Sequence, residues 1–216
     1  MRGNWTFAAV AAAAGLAPVA HAAIFTGIAS FRTAGTAVAP AGGSLNLTGP
    51  ADNGFGSWFG NSTLNQSGVY AFASQGSELT STSLSAVGET FAASAGTTRR
   101  VGARSAIDFI FTLDETAIVT VFAQAGGNFG SSTSMRVYLG TDTEAVINTT
   151  STFVTFTDVT LAAGTYILSA EILTDLDGVA GSSNGFYNVS VSVPAPGAAA
   201  ILALSGLVAS RRRRAR

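Results

Sequence analysis

Residues 105–125 read SAIDFIFTLDETAIVTVFAQA. Two apolar runs flank the acidic pair Asp114-Glu115. In the second run Val119, Val121 and Ala123 fall on one side of an extended chain, and Ile118, Thr120 and Phe122 on the other. A period of two is the signature of a strand, since successive side chains point to opposite faces of a sheet. The helical period of 3.6 does not fit. Asp114-Glu115 then reads as the turn of a hairpin, a normal place for Asp.

The same rhythm continues to residue 193. Strands are predicted at 105–113, 116–125, 134–140, 152–161, 165–173 and 185–193. Gly126-Gly127-Asn128, Ala163-Gly164 and the polar stretch 175–185 supply the loops between them. Upstream, weaker strand candidates lie at 45–47, 69–74, 79–87 and 91–94. The expected fold is all-β: an antiparallel β-sandwich or jelly roll of about eight to ten strands. No internal repeat of fixed period is present.

Composition agrees. Charged residues are 11% of the 216, and there are 25 glycines, a mixture that suits short strands and turns better than a helical bundle. The formal charge of −1 hides an asymmetry, because all 12 acids lie between Asp52 and Asp177 while six of 11 arginines are terminal. The stretch 23–193 holds five arginines against 12 acids, a net −7 without a single lysine. Such a body is a poor ligand for nucleic acid, which requires clustered cations.

Both ends read as addresses. MRGNWTFAAVAAAAGLAPVAHAAIF opens with Arg2, continues through an apolar run at 7–16, and breaks at Pro18. Ala20 and Ala22 are small residues at the −3 and −1 positions of a signal-peptidase site, so 1–22 reads as a signal peptide with cleavage before Ala23. The only histidine, His21, leaves with it. At the other end VPAPGAAAILALSGLVASRRRRAR runs from Val193 to Arg216. Residues 197–210 carry no charge, and the uncharged stretch from Val193 reaches the lower limit for a membrane helix. The arginines that follow would stay cytoplasmic. The predicted organisation is a signal helix at 1–22, an ectodomain at 23–193, and a tail at 194–216 with a membrane helix at 197–210.

The tail resembles the bacterial PEP-CTERM sorting signal. The matching residues are Val193, Pro194 and Pro196, the apolar run, and Arg211, Arg212, Arg213 and Arg214. Ala195 stands where that family usually has glutamate. The resemblance implies recognition by an exosortase, a membrane protease acting near the proline motif. It also implies a Gram-negative-type bacterium that makes exopolysaccharide, an inner-membrane-anchored precursor, and release to the cell surface or extracellular matrix. In the body, 111–121 and 161–172 resemble the bacterial jelly-roll domains of secreted proteins, including pre-peptidase C-terminal and carbohydrate-binding-like modules.

Catalytic chemistry is sparse. The chain has no cysteine, and after loss of His21 no histidine, which removes Ser-His-Asp and Cys-His arrangements. No catalytic residue and no cofactor are assigned. Asp175 and Asp177, alternate carboxylates before Gly178, are the best calcium candidates, but no third acid or bidentate glutamate follows them. Phe55, Trp58 and Phe59 in GFGSWFGNS form a candidate sugar-stacking platform, with plugging of the sandwich end as the structural alternative. Arg99, Arg100 and Arg104 read as a solvated basic loop, with binding of anionic polysaccharide as the alternative. The expected function is an exported, non-catalytic surface or matrix protein associated with exopolysaccharide. A carbohydrate-binding module and a secreted hydrolase are the alternatives.

Overall fold

Alternation of apolar and polar side chains builds sheets on both sides of one interior. The computed structural model describes residues 23–128 and 133–193, and twelve strands make up most of them. They are β1 (Phe25–Pro40), β2 (Ala51–Asp52), β3 (Trp58–Gln66), β4 (Val69–Leu79), β5 (Ser83–Ser94) and β6 (Arg99–Leu113). Then come β7 (Ala117–Asn128), β8 (Thr133–Gly140), β9 (Ala145–Thr149), β10 (Phe153–Leu161), β11 (Gly164–Asp177) and β12 (Gly181–Ser192). The front sheet has the order β2-β1-β6-β11-β8-β9, the back sheet β10-β7-β12-β5-β4-β3. Every pairing is antiparallel. The protein is a β-sandwich.

The last eight strands pair as nested shells: β5 with β12, β6 with β11, β7 with β10 and β8 with β9. Successive shells alternate between back and front sheets. Most connections therefore cross from one sheet to the other. Asp114-Glu115 is one of these crossings and not a hairpin turn, since β6 lies in front and β7 behind. Asp114 fastens the corner by accepting the Ile24 N–H at 2.6 Å.

Three further expectations change. There are twelve strands, not eight to ten. The longest, β1, falls where no strand is expected, and 45–47 lies in a loop instead. Gly126, Gly127 and Asn128 belong to β7, and the turn after β11 is only 178–180.

Two apolar clusters fill the interior. The larger contains Ile107, Phe109, Phe111, Leu168, Ile172 and Val189 among others. The smaller is alanine-rich, with Ala34, Ala71, Ala73, Ala92, Val101 and Leu176. A buried polar layer separates them. Along β6 it is Ser105, along β11 Thr174, along β5 Thr90, along β4 Gln75 and Ser77, and along β1 Arg32. Thr90 and Thr174 bond across the sheets at 2.7 Å, and Ser105 meets the Tyr187 hydroxyl at 3.2 Å. Burial pushes the Tyr187 phenol well above its ordinary pKa, so it stays a neutral donor.

Gly88 makes this layer possible, because a Cβ there would collide with Ser105 Oγ and the Tyr187 ring. Gly88→Ala is expected to cost about 2 kcal/mol by urea unfolding, the usual penalty of overpacking. Gly96→Ala, where nothing lies within 4 Å, should stay within about 0.5 kcal/mol of wild type.

Candidate functional site

The connection 53–57 joins β2 of the front sheet to β3 of the back sheet; it carries Phe55, while Trp58 and Phe59 open β3. Its geometry is set by Arg32, whose side chain on β1 is 2% exposed. The guanidinium pairs with Asp52. It also donates to the Gly56 carbonyl at 2.7 Å and to Ser77 Oγ at 3.4 Å. Trp58 and Phe109 flank it, with ring centroids 5.5 and 5.8 Å away, a cation–π arrangement. Phe55 stacks on Phe109 at 6.2 Å and packs against the main core. A Cβ on Gly60 would meet the Trp58 ring, so that glycine clears its seat.

The three rings therefore do not form one platform. Phe55 and Trp58 turn inward and serve the Arg32 centre. Phe59, the next residue along β3, points to the opposite face and is 68% exposed. Two of the three thus pack against the Arg32 centre and the main core. Sequence reasoning did not single out Arg32, although it is the only charged residue between Arg2 and Asp52.

Asp175 and Asp177 are held by protein partners. Asp175 accepts from Arg100 Nε at 3.0 Å and Nη2 at 2.5 Å. Asp177 lies 3.8 Å from Arg100 Nε and accepts the Gly42 N–H at 2.7 Å. Among the described residues no group of three potential metal ligands converges. Arg99, Arg100 and Arg104 are not a loop; they open β6. Arg104 pairs with Glu171 at 2.7 Å, and Arg136 covers the Tyr138 ring at 5.5 Å. These charges stand on the outer surface of the front sheet.

The outer surface of the back sheet has a different chemistry. One row crosses it in register: Val154, Gln124, Asn188, Val87, Gly76 and Phe59. Beside it Phe156, 73% exposed, is the register partner of Phe122. Further along, Phe72 partners Phe91, and Tyr70 lies 5.8 Å from Phe91. Phe186 on β12 partners Glu89 on β5. Strand alternation puts seven aromatic rings on this surface and, among the described residues, no arginine. Its charges are Glu78, Glu89 and Asp158.

Of the addressed ends, Ala20, Ala22, Pro194, Pro196 and Arg211 to Arg214, with the expected signal and membrane helices, lie outside the described residues. Ala23 and Val193 are the outermost residues of the described body, and both are buried. Val193 donates its N–H to the Thr82 carbonyl at 2.9 Å. No model of a known protein family matches this chain, and no match was found among curated proteins.

Removing the Arg32 guanidinium, as in Arg32→Met, should destabilise the fold by about 3 kcal/mol, because its hydrogen-bonded partners lose a buried charge. The Gly54 N–H, with Arg32 beside it, holds the Asp52 carboxyl below its ordinary value of 3.8. A depressed carboxyl contributes stability that is complete above the ordinary value and is lost as pH falls through the folded one. Urea midpoints measured downward from neutral pH should therefore fall more steeply below about pH 4 in wild type than in Asp52→Asn.

Proposed function

We propose that this chain is an exported, non-catalytic module of the cell surface or extracellular matrix that associates with polysaccharide. The observation that carries the reading is the division of labour between the two outer surfaces. The front surface spends its charges on itself, through Arg100–Asp175 and Arg104–Glu171. The back surface presents aromatic rings together with amides such as Asn188 and Gln124. Flat apolar rings beside orienting hydrogen-bond groups are the general composition of a ligand surface. We further read the nested pairing of β5 to β12 as a jelly roll, in keeping with the secreted domains that the body resembles.

The export route rests on the sequence of the two ends. Signal peptidase would act before Ala23. An exosortase-like protease would act on the Pro194–Pro196 stalk while 197–210 holds the precursor in the membrane. A protease needs extended, accessible backbone, and Val193 is buried with its N–H bonded to the Thr82 carbonyl. The cut is therefore expected beyond it.

Intact-mass analysis of protein recovered from its host should find a species that begins at Ala23 and ends between Val193 and Gly197. A membrane-bound species that keeps Arg216 would overturn the processing step and leave a tethered surface domain.

A further inference from the structure

We propose that the outer surface of the back sheet docks a polysaccharide carrying free amino groups, a hexosamine polymer in chemical terms. The proposal rests on the matrix reading above and names its partner. The first observation is how the rings lie. A Cβ on Gly126 would stand 2.9 Å from the Phe186 ring, so Phe186 lies over the bare backbone of β7. A Cβ on Gly76 would sit 3.5 Å from Phe59 and 3.4 Å from Val87, ordinary contact distances, so Phe59 and Val87 both pack beside Gly76. Both rings stand on the outer surface, Phe59 largely and Phe186 partly open to solvent. An aromatic face is the negative pole of its quadrupole and attracts an ammonium within about 6 Å.

Charge selects the partner. The surface has three carboxylates and, among the described residues, no cation. Glu89 is the direct cross-strand neighbour of Phe186, which puts a carboxylate beside an aromatic ring, a seat for one protonated amine. Acidic glycans and nucleic acid would be repelled. A second copy of the chain is disfavoured too, because face-to-face packing would bury the carboxylates of both copies with no counter-charge. Neighbouring strands are about 4.8 Å apart, so the six-strand row from Val154 to Phe59 is roughly 24 Å long. That is room for several sugars, with Gln124 and Asn188 placed mid-row to bond hydroxyls.

The test is retention of the full chain on immobilised deacetylated glucosamine polymer, its N-acetylated form, a neutral glucan and a polyuronate. Retention is expected on the deacetylated polymer, weakened about tenfold by Glu89→Gln or Phe186→Ala and reduced by salt. Arg136→Ala on the front surface should leave it unchanged. Glu89→Gln alters one exposed side chain, so it decides the matter if Phe186→Ala fails to fold. Equal retention on the acetylated, neutral or acidic polymer overturns the proposal, as does indifference to both back-surface variants. An exported and trimmed chain that no polymer retains overturns this assignment and leaves the surface location standing. A chain retained by the glucosamine polymer but never exported supports the assignment and overturns the location.

Discussion

A buried guanidinium must find hydrogen bonds and a counter-charge, and that requirement organises this sandwich. Arg32 sits at one end of the polar layer between the two apolar clusters. Its partners come from β2, from the connection 53–57 and from β4, while Trp58 and Phe109 close over it from opposite sheets. Pairing one cation through its two Nη atoms thus fixes where the chain leaves the front sheet and enters the back one. The remainder of the layer is neutral, and its hydroxyl pairs bond across the interior. A polar layer of this kind adds little net stability. It does penalise misalignment, because slipping either sheet would strand its paired hydroxyls away from water.

The two outer surfaces follow from the same alternation that builds the core. On β6, Val101, Ser105 and Ile107 point inward, so Arg100 and Arg104 point outward, where β11 brings Asp175 and Glu171 alongside. On the back sheet the outward positions of β3, β4, β5, β7, β10 and β12 hold rings, amides and hydroxyls. Glycine makes room for several of the rings. Inside the sandwich Gly88 and Gly60 admit Tyr187 and Trp58, and outside it Gly126 admits Phe186. One device serves packing on one side of the sheet and display on the other.

What could be read in advance depended on how strongly each strand alternates. β7, β8, β10, β11 and β12 carry Val, Ile, Leu and Phe at every second position and were legible. β1 was not, since FTGIASFRTAGTAVAP is largely Gly, Ala, Ser and Thr, residues with little side chain to signal a buried face. Arg99 to Arg104 looked like a loop because the arginines masked the inward Val101 and Ala103. GFGSWFG showed its aromatics but not their destinations, because adjacent residues of a strand face opposite ways and only pairing tells which way is in.

By itself the sequence determined the class of fold and the acidic, lysine-free body. These are properties of composition and of local period, which no partner strand can alter. Only the tertiary structure decided that Asp114-Glu115 crosses between sheets, that Asp175 and Asp177 belong to Arg100, and that Phe59 parts company with Phe55 and Trp58. Each of those depends on which strands far apart in the chain become neighbours. That choice is made by burying Arg32, Tyr187 and the two apolar clusters together, a condition no short window of residues contains.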